Sequence, residues 1–186
     1  MRIVGGEFRG RTLAAPKSND IRPTIDRTRE SLFNIIGHVY PEALSQTRVI
    51  DLFAGTGAVG IEALSRGCRS ALFVENSVEG RGLLWENIDA LALHGRARIL
   101  RRDATKLGPV GTIEPFQLLF ADPPYGVGLG EAALLAAHSG RWLEPGALVI
   151  LEERADVMPK PEPVFKLLEQ RVFGDTRMHF LRYQPD

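Results

Sequence analysis

The sequence predicts a doubly wound α/β fold on a mostly parallel sheet, and three observations carry that prediction. Short apolar segments of strand length alternate with helical segments from residue 48 onward. Phe116 to Ala121 has the apolar run of a strand buried on both faces. A glycine-rich turn joins the first strand of the series to the helix after it. Sheets of this kind bind ligands beyond the carboxyl ends of their strands, so the chemistry is expected at the strand tips.

Length and composition bound the organisation. With 186 residues and 44% hydrophobic content, the chain suits one α/β domain with little length to spare. The expected division is a basic arm or hairpin over residues 1–25 and the α/β domain over residues 26–186. Cys68 is the only cysteine, which excludes an intrachain disulfide and a cysteine-held metal cluster and suits a reducing compartment. No apolar run reaches the roughly 18 residues of a membrane span, and the N-terminus lacks the apolar core of a signal peptide. A soluble, cytoplasmic protein is expected. Net charge is zero, but residues 1–29 hold seven basic residues against three acidic ones. Such an arm suits a protein that meets nucleic acid along one edge, with Arg2, Arg9, Arg11 and Arg27 as candidate phosphate contacts. On charge alone, a solvated tail fits equally well.

In the arm, Gly5-Gly6 and Gly10 interrupt short apolar-basic alternations, which predicts a small hairpin before Pro16 and Pro23. Asp26 is expected to cap a helix in which Leu32, Ile36 and Val39 recur at i, i+4 and i+7, with Phe33 and Ile35 widening the stripe. Pro41 closes it. The expected core then runs as strand Arg48 to Phe53, helix Ala58 to Arg66 ended by Gly67, strand Ser70 to Glu75, and a longer helix from about Ser77 with Leu84, Ile88 and Leu91 on one face. Strands Ala97 to Arg101 and Phe116 to Ala121, helix Glu131 to His138 and strand Ala147 to Glu152 continue the alternation. Val164 to Phe173 and Thr176 to Tyr183 flank Gly174-Asp175, a two-residue hairpin signal.

The first strand runs into Asp51-Leu52-Phe53-Ala54-Gly55-Thr56-Gly57-Ala58-Val59-Gly60, a G-x-G-x-x-G opening a helix, with Glu75 twenty residues after Gly55. Dinucleotide sites share this pattern, which by itself reports only a tight turn and close approach of backbone to ligand. Asp51 discriminates. A carboxylate at the strand's end repels a pyrophosphate and welcomes an ammonium, and S-adenosylmethionine carries an ammonium and no phosphate. Glu75, at the next strand's tip, is placed to accept from both ribose hydroxyls. Asp103, after the third strand, is placed to hold the adenine amino group. The candidate cofactor residues are therefore Asp51, Phe53, Ala54, Gly55, Thr56, Gly57, Glu75, Asn76, Asp103 and Ala104, joined by Asp122 from the fourth strand. Acids at strand ends also cap helices and loops, but three in register with a glycine-rich turn favour the cofactor.

The fourth strand ends in Asp122-Pro123-Pro124-Tyr125. Two prolines fix φ and remove two backbone donors, which makes the turn stiff and projects its carbonyls outward. An exocyclic amine on a purine is a poor nucleophile because its lone pair is delocalised into the ring. The Asp122 carboxylate and the Pro123 carbonyl are two acceptors suited to drawing its hydrogens out of conjugation, so that the amine attacks a sulfonium methyl in line. Tyr125 supplies an aromatic face for an extruded base. A stiff loop or a ligand for a Pro-binding module is the plainer reading, and the position after a buried strand disfavours it.

The glycine turn and this tetrapeptide resemble the cofactor and amino-methylation motifs of class I methyltransferases. More narrowly, Ile3-Val4-Gly5-Gly6-Glu7-Phe8-Arg9-Gly10-Arg11, Arg22-Pro23-Thr24-Ile25-Asp26-Arg27-Thr28-Arg29-Glu30-Ser31-Leu32-Phe33-Asn34 and Gly174-Asp175-Thr176 resemble the RsmD family, the bacterial 16S rRNA guanine-N2 methyltransferases, over nearly the whole chain. The resemblance implies a Rossmann-like, seven-stranded mixed sheet with its last strand antiparallel and a short N-terminal extension for RNA. It also implies a cofactor pocket partly covered by the segment around Arg22, Thr24 and Asp26. The target it implies is guanine N2 in 16S ribosomal RNA, within a small-subunit assembly particle. The residues alone give only an exocyclic amine, and adenine-N6 methyltransferases share the tetrapeptide. Those acting on DNA usually carry a recognition domain for which this chain has no length. An NAD-dependent oxidoreductase and a non-catalytic RNA-binding protein are the alternatives from other classes. His38, His94, His138 and His179 lack ligand spacing, so no metal is expected. Trp85 and Trp142 read as packing residues, and Cys68 as an unactivated thiol.

Overall fold

The structure is a computed structural model that describes residues 1–18 and 24–186; Arg22 and Pro23 lie outside the described residues. Seven strands form one sheet: β1 Arg48–Leu52, β2 Ser70–Val74, β3 Ala97–Leu100, β4 Phe116–Ala121, β5 Leu143–Arg154, β6 Phe165–Phe173 and β7 Thr176–Tyr183. Their order is β3-β2-β1-β4-β5-β7-β6. Strands β1 to β5 pair in parallel, and β7 lies antiparallel between β5 and β6. The expected mixed sheet with an antiparallel last strand is what forms.

Four α-helices among the described residues cover the sheet: α1 Asp26–Val39, α2 Ala58–Ser65, α3 Val78–Ala90 and α4 Leu129–Ser139. Phe33, Ile36, Ile61, Leu64, Leu84 and Ile88 from α1, α2 and α3 pack on one sheet face with Val49, Phe73, Leu118 and Ile150. Ala133, Leu134 and Ala137 from α4 pack on the other with Ile50, Leu72, Leu119 and Val149. Neighbours such as Val49 and Ile50 part to opposite faces because side chains alternate along a strand. Both faces being covered explains why these strands read as unbroken apolar runs. Each fully buried Val, Leu, Ile or Phe contributes about 1.5–3 kcal/mol of transfer free energy.

Element ends differ from expectation for local reasons. Strand β1 stops at Leu52 because Phe53 turns into the left-handed region, φ 58°. Strand β5 begins at Leu143, although Pro145-Gly146 reads as a break; a register irregularity between Phe116 and Leu118 lets Phe116 pair with Leu143. Asp26 does not cap α1. Ile25 holds the cap position, and Asp26, in the first turn, accepts from the Arg2 N–H at 3.3 Å and from Arg29 at 3.0 Å.

The arm forms the expected hairpin, closed by a bridge between Arg2 and Thr12, and it is docked on the domain. Ile3 and Leu13 are buried in the cluster of α1 and α2. Its turn meets the end of α2: Glu7 N–H donates to the Ser65 carbonyl (2.8 Å), Phe8 N–H to Ser65 Oγ (2.9 Å), and Ser65 Oγ–H to the Gly5 carbonyl (2.6 Å). A Cβ on Gly6, φ 79°, would lie 1.9 Å from the Ser65 oxygen, so the contact requires glycine.

Arg29, which counts toward the arm's positive charge in the sequence, is fully buried instead. It donates to the carbonyls of Arg2 and Thr24 and to Asp26, with Nε 3.5 Å from Glu62 Oε2. Glu62 in turn accepts from Val4 N–H (3.0 Å) and Arg66 Nε–H (2.9 Å).

Trp142 packs as expected, donating Nε1–H to the Gly108 carbonyl at 2.7 Å. Trp85 does not: it is 53% exposed on the outer side of α3, 6.0 Å from the His94 ring. Leu84, Ile88 and Leu91 already fill the inner side of that helix. No helix among the described residues is long and apolar enough to cross a membrane.

Candidate active site

The carboxyl edge of the sheet opens into a cavity of about 760 Å³, within the ~300–1,000 Å³ typical of small-molecule sites. Thr24, Asp51, Phe53, Ala54, Gly55, Thr56, Glu75, Asn76, Asp103, Ala104, Asp122, Pro123, Pro124 and Tyr125, all singled out from the sequence, line it. Gly57 does not. It precedes α2 with φ 80°, and a Cβ there would lie 2.4 Å from Leu84 Cδ2, so it serves the turn and the packing of α3. Arg22 falls outside the described residues. Ala58, Val59, Val74, Ser77, Glu79, Arg102, Thr105 and Leu129 also line the cavity without having been picked out. Arg102 and Thr105 flank Asp103 and share its loop, which is the signal that would have found them. Leu129 arrives only through the placement of α4.

Strand register sets the geometry. Leu52 pairs with Val74 and Ala121, and Val74 with Leu100, so the tips are level and Glu75 and Asp122 leave their strands side by side with β1. Asp51, one residue inside β1, is buried and accepts from Gly60 N–H at 3.0 Å. Burial pushes its carboxyl up to about 8; the Gly60 N–H opposes that shift and the charge of Glu75 adds to it. A cation placed against Asp51 restores its ionised form.

Glu75 ties the glycine turn to the start of α3, accepting from Gly55 N–H at 2.6 Å and Ser77 N–H at 2.9 Å. Each carboxylate oxygen keeps a second lone pair for a ligand hydroxyl. Asp103 Oδ1 accepts from the Thr105 hydroxyl (2.7 Å) and N–H (2.9 Å), which hold its carboxyl below the usual range. Glu79 accepts from the Ser18 hydroxyl and from the N–H groups of Ser18 and Lys17, with the same effect. The strand-end acids thus brace loops and line the cavity at once. In all, Asp51, Glu75, Glu79, Asp103 and Asp122 face one basic lining residue among the described residues, Arg102, which donates to the Leu107 carbonyl at 2.5 Å.

Directly after β4, Asp122-Pro123-Pro124-Tyr125 forms one wall of the cavity. Tyr125 donates its hydroxyl to Glu152 Oε1 at 2.5 Å, and Gly126 N–H donates to Glu153 Oε1 at 3.0 Å. Among the described residues, no group of three or more His, Cys, Asp or Glu is arranged to hold a metal ion.

Comparison with known proteins fits this architecture. The profile of the family described as "Conserved hypothetical protein 95" matches residues 1–182. "Ribosomal RNA small subunit methyltransferase D" of Escherichia coli (strain K12) is 38% identical over 178 residues, 95% of this chain and 86% of that one. The chain belongs to the RsmD family. A second relative by sequence is "Putative rRNA methyltransferase YlbH" of Bacillus subtilis (strain 168), 35% identical over 92% of this chain and 91% of that one. The solved structure "Putative methyltransferase yhhF from Escherichia coli" superposes with a TM-score of 0.84 at 31% identity, covering 99% of this chain and 98% of that one.

In this RsmD-family chain the four candidate phosphate contacts are all exposed. Arg2, Arg9 and Arg11 stand on the hairpin, and Arg27 in the first turn of α1. The bond from Arg2 N–H to Asp26 keeps those two elements together. Arg11 is partly engaged already, donating to the Ala90 carbonyl at 2.8 Å at the end of α3.

Proposed function

We propose that the protein transfers a methyl group from S-adenosylmethionine to the exocyclic N2 amine of a guanine in 16S ribosomal RNA, in the cytoplasm and on an assembling small-subunit particle. The observation that carries this reading is one cavity in which, among the described residues, five acidic side chains face a single guanidinium and whose wall is Asp122-Pro123-Pro124-Tyr125. Such a lining opposes a pyrophosphate and suits a cationic, phosphate-free nucleoside. The names of the E. coli and B. subtilis relatives support ribosomal RNA as the substrate.

When bound, the cofactor supplies an activated sulfonium methyl. Asp51 would hold its ammonium, Glu75 its ribose hydroxyls, and Asp103 with Ala104 its adenine, while Phe53 to Thr56 and Thr24 shape the cavity around them. Asp122 and the Pro123 carbonyl accept the hydrogens of the guanine amine and bring its lone pair out of conjugation. Their contribution is acceptors fixed in place before the substrate arrives. Tyr125 offers the stacking face, worth about 1–3 kcal/mol per base.

Incubation with labelled S-adenosylmethionine and hypomethylated small-subunit particles or RNA tests this, with nucleoside mass spectrometry as the readout. N2-methylguanine is the expected product. Label on adenine, or calorimetric binding of NAD without binding of S-adenosylhomocysteine, would overturn the assignment. Asp122→Ala is expected to lower methyl transfer by about 10²–10³-fold while retaining S-adenosylhomocysteine binding, and an unaffected rate would contradict the role given to it.

A further inference from the structure

Two adjacent carboxylates at the end of β5 grip the loop that follows Asp122. Glu152 takes the Tyr125 hydroxyl and Glu153 the Gly126 N–H. Both acids are buried, at 8% and 3% exposure. Consecutive strand residues face opposite sides of a sheet, so the loop is held from both. Burying a carboxylate is unfavourable unless it is hydrogen-bonded; Glu153 Oε1 also accepts from the Arg154 N–H of β5 at 2.9 Å, while the bonds from Tyr125 and Gly126 cross from the strand to the loop. The loop is thereby held at two points.

We propose that Glu152 is a positioning residue for the methylation of RNA: it sets the plane of the Tyr125 ring, so that a flipped-out guanine meets a stacking surface already in place beside Asp122 and Pro123. This rests on the function proposed above. A phenol hydroxyl is conjugated with its ring and its proton lies in the ring plane. An acceptor that receives that proton therefore selects both the direction of the side chain and its rotation about Cβ–Cγ. A short O–H···O⁻ bond is the strong form of this contact. At the other end the backbone is fixed by Pro123-Pro124 and by the tie from Gly126 to Glu153. A ring held at both ends loses little freedom when a base stacks on it.

Steady-state methylation of hypomethylated small-subunit RNA tests the proposal. Tyr125→Phe keeps the stacking ring and removes only its anchor, while Glu152→Leu removes the acceptor. Each is expected to lower kcat/KM for RNA by roughly tenfold and to leave S-adenosylhomocysteine affinity unchanged. The double variant should fall no further than either single one, because both remove the same constraint. Glu152→Gln keeps an acceptor in the same place and should stay within about fivefold of wild type. Tyr125→Phe at the wild-type rate, additive losses in the double variant, or Glu152→Gln as impaired as Glu152→Leu would each overturn the proposal. Should Glu152→Leu fail to fold, the near-isosteric Tyr125→Phe and Glu152→Gln still decide it. A wild-type protein that methylates no guanine in this RNA overturns both readings, whereas an active wild type with additive variants overturns only this one.

Discussion

Asp51 is a carboxyl in a place where ionisation is difficult, and pH-dependent stability follows from that. Its folded pKa of about 8 lies above the ~3.9 of an unfolded chain. Between those values the unfolded chain has released a proton that the folded protein keeps, so stability falls as pH rises from about 4 to about 8 and levels off above. Asp51→Asn retains an acceptor for Gly60 N–H and does not titrate. Its Tm advantage over wild type, measured without cofactor, should therefore grow between about pH 5 and about pH 8 and then stay constant. A pH-independent difference would contradict this. The same substitution should weaken S-adenosylmethionine binding by about tenfold or more, read by calorimetry, because an amide oxygen accepts from the ammonium but brings no opposite charge to it. Asp51, Glu75 and Asp103 are legible in the sequence because each stands at or just past the end of an apolar run, and the pairing of those runs alone brings them level. Glu152 is not legible as part of the site. Its partner Tyr125 is 27 residues away, and only the adjacency of β4 and β5 brings them together.

At the scale of elements, the sequence shows which segments are strands and helices, but less of how the arm sits. Its hairpin is announced by Gly5-Gly6 and Gly10. The docking is not, because it depends on Arg29, which in sequence is one more arginine of a basic segment. Arg29 and Glu62, both without exposed side-chain surface, link the arm, α1 and α2. Removing one partner leaves the other buried with only its remaining ties, Arg29 to Asp26 or Glu62 to Arg66 and Val4, at a cost of about 1–3 kcal/mol, whereas replacing both by apolar residues costs less. Urea denaturation of Arg29→Met, Glu62→Leu and the double variant should show this: the double variant should be more stable than either single one once the loss of the Val4 and Arg66 bonds is allowed for. Simple additivity would mean that the pair does not couple the arm to α2. The limits of β5 were hidden for a different reason. Pro145-Gly146 is a turn signal that an irregularity opposite it, between Phe116 and Leu118, absorbs.

Across the whole molecule, a net charge of zero conceals two fields of opposite sign. The cavity, with five acidic side chains against one arginine among the described residues, attracts a small cation, whose charge draws Asp51 back to its ionised form, and disfavours a polyanion. In the function proposed above, RNA is drawn to the protein elsewhere, and the exposed arginines of the hairpin and of α1 are the candidates for that contact. Arg9 is the cleanest probe of that surface. Arg11 also holds the Ala90 carbonyl, so reversing it disturbs the hairpin by about 1 kcal/mol as well. Arg9→Glu should weaken RNA binding most at low salt and flatten the plot of log affinity against log salt by about 0.7–0.9 for each phosphate that the arginine no longer neutralises. S-adenosylhomocysteine affinity should not change, since the hairpin turn packs on the end of α2 remote from the glycine turn. Filter binding across a salt series distinguishes the outcomes: an unaltered slope with unaltered low-salt affinity would show that RNA approaches the acidic cavity by a face other than the arm.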